Sequence, residues 1–266
     1  MVFSIDALVL RSVDYGDYDR ILTLLTAENG QISVMAKGAR SQKSMFSSLT
    51  QPYVYANLEI YRKNDMNWLR GGSVTEYFSG LRDDIEKLSL ATYLADIARE
   101  STGEFVPAVD ILRMTLNSFY AIARDKQSLN IIKAVYEWRT AGYAGYMPDM
   151  SGCRHCHANV DAGVYLDVMN GSLICSDCLK RKSVSMSEAH GVYEDTEYER
   201  SILIPMGVGA IAAAHYVLTA LPERMFSFRI KDSADVEDFC RAGEIFLLNH
   251  LERSFDSLDF YKTITK

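Results

Sequence analysis

The apolar positions of this chain change period once, near Gly80. Before that point they form short blocks rich in β-branched and aromatic residues. "DALVLRSV" (6–13), "RILTLLT" (20–26), "QISVMAK" (31–37), "PYVYANLEIYRK" (52–63) and "NWLRGGSVTEYF" (67–78) each read as a strand. Asn29-Gly30 signals a hairpin between the second and third blocks, and Asn64-Asp65 marks the turn between the last two. Five short strands within residues 1–80, with no long helix among them, suit a small closed barrel. The commonest five-stranded form is the OB-fold.

After Gly80 the period becomes helical. Leu81, Ile85, Leu88, Thr92 and Ala95 recur on one face, widened by Leu94 and Ile97. Asp83, Asp84 and Glu86 fall in the first turns, where the helix dipole favours anions. A second helix is expected after Pro107 and a third over 129–143, ending at Gly142. Helices are also expected over 202–221 and over 233–253, with Ser233 as cap, after a polar loop "GVYEDTEYERS" (191–201). The predicted class is α+β. Residues 1–80 form the barrel, 81–152 and 183–266 the two parts of a helical domain, and 153–182 a Cys-rich insert between them.

That insert carries the most specific spacing in the chain. Cys153-x2-Cys156 is followed by Cys175-x2-Cys178, with an apolar hairpin pattern turning at Asn170-Gly171 between them. Two such knuckles can wrap four thiolates around one Zn²⁺ in a zinc-ribbon pattern. With all four positions filled by protein the ion is structural, since no coordination site stays open for water. Redox-active pairs, or a relic module without metal, are the competing readings. His155 and His157 are read as bystanders, and Cys240 as a small core hydrophobe.

Charge adds a second feature. The formal net charge is -7, and no Asp or Glu occurs between Glu28 and Glu59. Residues 1–80 balance eight basic against eight acidic side chains, whereas 183–266 hold eight against fourteen. Local patches rather than the total decide how an anionic ligand is steered. Lys37, Arg40 and Lys43 lie three apart in "KGARSQKS" (37–44), a Gly- and Ser-containing loop. Tyr53, Tyr55, Arg62, Lys63, Trp68 and Arg70 follow. Cations interleaved with aromatic rings on a small barrel are what single-strand binding requires: rings stack on bases and cations track phosphates. The plainer reading is a solvated loop above core aromatics.

Recognisable catalytic motifs are missing. There is no GxSxG, no GxxxxGK[ST] and no HExxH, and the histidines stand in no nucleophile–base pattern. "GVGAIAAAH" lacks the third glycine of a dinucleotide loop, so its glycines are read as close helix packing. A non-enzyme is expected. The opening "MVFSIDALVLRSV" does not read as a signal peptide, and the uncharged run 201–222 is read as a buried helix rather than a membrane span.

Taken together, "LVLRSVDYGDYDRILTLLTAENGQISVMAKGARSQKS", "QPY" (51–53), "GLRDDIEKL", "AGYAGYMPDMSGC", the paired CxxC knuckles and the closing "LLNHLERSFDSLDF" resemble the bacterial recombination-mediator family RecO. The resemblance spans most of the chain and is loosest over 183–232. It implies an N-terminal OB-fold, a helical domain and, in many members, a zinc module. It further implies binding to single- and double-stranded DNA, annealing of complementary strands and cooperation with RecR. Contact with the C-terminal tail of the single-strand-binding protein SSB, and help in placing RecA on SSB-covered DNA, are implied as well. So is a cytoplasmic, nucleoid-associated protein with no membrane partner. The alternative from the residues alone is an interaction scaffold whose barrel binds only protein.

Overall fold

Alternating inward residues close the N-terminal strands into a barrel. β1 (Val2–Tyr15), β2 (Asp19–Thr26), β3 (Gly30–Ala36), β4 (Tyr55–Lys63) and β5 (Met66–Glu76) are ordered β1-β2-β3-β5-β4, and β4 pairs back onto β1. Every neighbouring pair is antiparallel except β3 and β5, which run parallel. This is the OB-fold expected from the strand count. Leu22, Leu24, Val34, Leu58 and Ile60 fill the interior with no exposed surface. The Asn64-Asp65 turn has both residues at positive φ, the geometry of a tight two-residue hairpin.

The structure is a computed structural model that describes residues 1–158, 163–181 and 201–265. Its residues group into two compact units, Met1–Leu129 with Phe255–Lys266, and Asn130–Ser254. In the first unit the barrel is joined by α1 (Ile85–Glu100), α2 (Val109–Ala123) and a closing helix, α6 (Asp256–Ile264). Asp84 caps α1 by accepting from the Glu86 amide at 2.8 Å. The closing helix docks on α1. Ser257 Oγ donates to Asp96 Oδ2 at 2.7 Å, and the Phe255 ring meets Tyr93 edge-on at 5.7 Å.

Tyr53 departs from its expected place in a strand. β4 begins two residues later, and Tyr53 sits at φ 67 with 8% of its surface exposed. Its hydroxyl donates to Thr92 Oγ1 at 2.9 Å and its ring packs edge-on against Phe119 at 5.4 Å. The apolar neighbours of 52–54 belong to the core of the unit, so periodicity alone extended the strand too far.

The second unit contains α3 (Leu129–Tyr143, its first residue assigned to the other unit), β6 (Asp149–Cys153), β7 (Val164–Asp167), β8 (Ser172–Cys175), β9 (Leu203–Met206), α4 (Val208–Thr219) and α5 (Ser233–Leu251). Trp138 is fully buried here, stacked on Phe246 and Phe239. Gly243 admits the indole: a Cβ there would stand 2.8 Å from Trp138 Nε1. Lys133 lies buried between Glu137 Oε1 at 2.8 Å and Glu244 Oε2 at 2.7 Å. Burial alone would pull its pKa down, but the two carboxylates outweigh it and hold the ammonium charged.

The expected helix over 202–221 is two elements. Residues 203–206 form β9, an edge strand antiparallel to β7 in the order β6-β8-β7-β9. Pro205 explains the change, because it cannot donate within a helix but is tolerated at a sheet edge. The glycines of "GVGAIAAAH" then serve close packing, as expected, but against acid. The amides of Gly207 and Gly209 donate to Asp238 Oδ2 and Asp235 Oδ2, each at 3.1 Å. A side chain at either glycine would collide with Asp235. The cap of α5 is Asp232, one residue before the expected Ser233. Most of the polar loop expected at 191–201 lies outside the described residues.

Candidate functional site: the barrel face and the cysteine centre

Strand alternation that buries Ile60 and Leu69 sends Tyr61 and Trp68 outward, directly opposite each other on β4 and β5. Register continues the row. Trp68 pairs with Met35, Met35 with Ile21, and Ile21 with Val13. One band of apolar and aromatic side chains thus crosses the outside of the barrel over all five strands. Lys37, the first residue after β3, places Nζ 4.7 Å from the centre of the Trp68 ring. This is a cation–π contact on a half-exposed indole.

The other candidate cations spread around this band. Arg62 and Lys63 pair with Asn67 and Met66 at the β4–β5 turn, next to Trp68. Arg62 is held by Asp65 at 3.5 Å, while Lys63 and Arg70 point into solvent. Arg70 lies two residues from Trp68 on the same strand. Lys43 is exposed and makes no ion pair among the described residues.

Arg40 is differently placed. Its amide donates to Tyr18 O at 2.9 Å, Nη1 to Gly16 O at 2.9 Å, and Nε faces Asp14 Oδ2 at 3.2 Å. Gly38 adds a fourth tie, its amide donating to Asp19 Oδ1 at 2.8 Å. The basic loop is therefore latched to the β1–β2 turn, and Ala39 and Leu49 anchor it in the barrel core.

Two candidate rings are not brought to this face. Tyr53 is buried, as described, and offers no face to a base. Tyr55 is half-buried six residues before Tyr61, about 20 Å along β4 at strand rise. Burial and then the Asp6 carboxylate raise its pKa, an acidic setting rather than a basic one.

The cysteine centre forms as the spacing predicted. Cys153 ends β6, Cys175 ends β8, Cys156 lies in the turn after β6 and Cys178 in the helical residues 176–181. Their four Sγ atoms lie within 4.8 Å of one another, and Cys156 Sγ stands 3.7 Å from Cys175 Sγ. Sulfurs 2.3 Å from one ion at tetrahedral angles would be about 3.8 Å apart, so the cluster can hold a metal ion. Backbone amides point at the sulfurs: Cys175 N to Cys153 Sγ and Cys178 N to Cys175 Sγ, both at 3.4 Å. Burial raises the Cys153 thiol, but amides of Cys156, Cys175 and His155 outweigh it and bring it down to about 6. The sheet around the knuckles is larger than the expected insert, because β6 and β9 flank the β7–β8 hairpin. His155 and His157 are exposed and stand outside the cluster. Cys240 is separate, half-buried on α5, and burial pushes its thiol up to about 12.

Among the described residues no helix is long and apolar enough to cross a membrane.

A five-stranded OB barrel bearing a cationic aromatic face, in one chain with a four-cysteine metal-type cluster, defines the class of protein. The family follows from comparison. Residues 1–78 match the model of the recombination protein O N-terminal domain and residues 82–193 that of its C-terminal domain. DNA repair protein RecO of Acetivibrio thermocellus is 28% identical over 260 residues, covering 97% of this chain and 96% of that protein. Those of Shouchella clausii and Anaeromyxobacter sp. (strain K) are 31% and 32% identical, over 66% and 64% of this chain and 68% of each relative. The chain belongs to the RecO family.

Proposed function

We propose that this protein is a non-enzymatic mediator of DNA repair and homologous recombination. It binds single- and double-stranded DNA and anneals complementary strands. With RecR it helps load RecA onto single strands covered by SSB, and it works in the cytoplasm at the nucleoid. The observation that carries this reading is the Lys37–Trp68 pair on the outer band of the barrel, in a chain whose relatives bear the name of a DNA repair protein.

Lys37, Lys43, Arg62, Lys63 and Arg70 are the proposed phosphate contacts, and Trp68 the proposed stacking ring, with Tyr55 a more distant one. Arg40 contributes by holding the loop. No bond is made or broken. Phosphate neutralisation supplies affinity and salt dependence, while stacking selects unpaired bases. The four cysteines Cys153, Cys156, Cys175 and Cys178 would hold one structural Zn²⁺. The SSB tail is acidic and apolar at its end, and the helical domain is its proposed seat. In the second unit a cleft of about 390 Å³ is lined by Tyr216, Phe228 and Ile230, with Arg229 and Lys231 beside Asp232 and Asp235, so its apolar wall is the part suited to the apolar end of such a tail. The proposed functional segments are 1–80, 81–152, 153–182 and 183–266, a division by role distinct from the two compact units.

Fluorescence anisotropy of a labelled single strand, titrated at two salt concentrations, tests the DNA reading. Saturable binding that weakens with salt supports it. No binding at low salt leaves the barrel as a protein-binding scaffold instead.

A further inference from the structure

The β1–β2 turn carries two large rings that the fold does not use. Tyr15 ends β1 and Tyr18 precedes β2, and they are 55% and 65% exposed. Among the described residues neither side chain makes a hydrogen bond, an ion pair or a ring contact. Two such rings exposed side by side on one turn form a patch that a ligand can cover. The turn between them is tied down. Gly16 takes φ 57, and Arg40 grips the turn through the carbonyls of Gly16 and Tyr18 and the carboxylate of Asp14. The rings are thus held beside the basic loop rather than free to seek their own packing.

Tyr15 continues the band described above. Tyr15 is two residues beyond Val13 on the same face of β1, and Val13 closes the row that runs through Ile21 and Met35 to Trp68. Three strand spacings separate Val13 from Trp68, about 14 Å. The acid of this turn is largely consumed. Asp14 faces both Arg20 and Arg40 at 3.2 Å, and Asp19 accepts from the Gly38 amide, whereas Asp17 makes no ion pair among the described residues.

We infer that Tyr15 and Tyr18 are stacking platforms for unpaired nucleic-acid bases, forming with Trp68 one path along the outside of the barrel beside Lys37 and Lys43. This rests on the DNA reading above and names residues that composition did not single out for it. Unpaired bases are the matching ligand because stacking needs a free π-face, and Lys37 and Lys43 supply cations for the backbone alongside. Base pairs in a duplex do not offer that face.

The test uses the full-length protein and a fluorescein-labelled oligothymidylate. Tyr15→Ala combined with Tyr18→Ala should weaken binding roughly tenfold or more, since stacking contributes about 1–3 kcal/mol per base and 1.4 kcal/mol is tenfold. The slope of affinity against salt should stay at the wild-type value, because no charge is removed. Tyr15→Phe with Tyr18→Phe should bind within about twofold of wild type, which separates loss of the ring from loss of the fold. Binding of a duplex of the same length should change far less. Wild-type affinity in the double Ala variant overturns the inference while leaving the DNA reading intact. So does a loss shared equally by duplex, or one accompanied by a shallower salt slope. Wild-type protein that ignores the single strand overturns both.

Discussion

Arg40 reaches back from the basic loop to Asp14, Nε to Oδ2 at 3.2 Å, across the turn that joins β1 to β2. In linear sequence the two residues look opposed, an acid placed ahead of a DNA-binding candidate. In the fold they form the latch that fixes the loop carrying Lys37 and Lys43.

The latch makes an unusual prediction. Asp14→Ala removes a negative charge from the proposed DNA-binding side, and simple electrostatics would have it strengthen binding. If Asp14 acts by positioning, the variant binds a single strand more weakly than wild type, by about two- to fivefold. Global stability should change by less than about 1 kcal/mol, as expected for an exposed ion pair. Anisotropy and thermal melting of the same sample check both halves. Tighter binding would show that Asp14 merely repels DNA.

Lys133 tests the second unit. Its ammonium is buried between two carboxylates, and Glu137 has no exposed surface. Lys133→Met strands that charge and should destabilise the unit by about 3–5 kcal/mol. Lys133→Met with Glu137→Gln and Glu244→Gln should recover much of the loss. Denaturant unfolding of the three proteins measures it. The raised pKa of Lys133 places its contribution fully below the ordinary lysine range, so it is intact at neutral pH and lost only as pH rises through the elevated value.

Tyr53 sets an alkaline limit for the barrel unit. Burial raises its pKa, so the unfolded chain ionises this phenol first. Its contribution is complete below about pH 10 and declines as pH rises toward the folded value. Tyr53→Phe should cost about 1 kcal/mol at pH 7 through the lost Thr92 hydrogen bond and should flatten the decline above pH 10. Melting temperatures followed from pH 7 to pH 11 would show the two curves converging.

The cysteine centre should carry one zinc per chain. Cys175→Ser removes a central ligand and should abolish metal retention and lower the melting temperature of the second unit, because metal binding there is coupled to folding. A strong chelator should do the same to the native protein. Elemental analysis gives the stoichiometry, and native protein without zinc refutes the assignment. Acidification should release the metal, since the ligands must be thiolates.

Much of this was legible in the residues. Period-2 blocks with Asn29-Gly30 and Asn64-Asp65 between them located the barrel strands, because side-chain alternation and turn chemistry are local. The two CxxC knuckles located the cluster for the same reason. What escaped was set by distant contacts. Tyr53 looks like any strand tyrosine until Thr92 and Phe119, far along the chain, bury it. Residues 203–206 join an apolar run that reads as helix, and only Pro205 hinted at the sheet edge that β7 provides. Tyr15 and Tyr18 were visible as letters, but their exposure and the Arg40 latch beside them are set by the fold, which no spacing rule encodes.

The account turns on Lys37 and Trp68 facing DNA. The most direct measurement is the salt dependence of single-strand affinity for wild type, Lys37→Ala with Lys43→Ala, and Trp68→Ala. The double lysine variant should bind more weakly, with the log–log slope reduced by about 1.4, or about 0.7 per phosphate contact. Trp68→Ala should lose about 1–3 kcal/mol with the slope unchanged. Three proteins with the same affinity and the same slope would contradict the claim that this face of the barrel binds DNA.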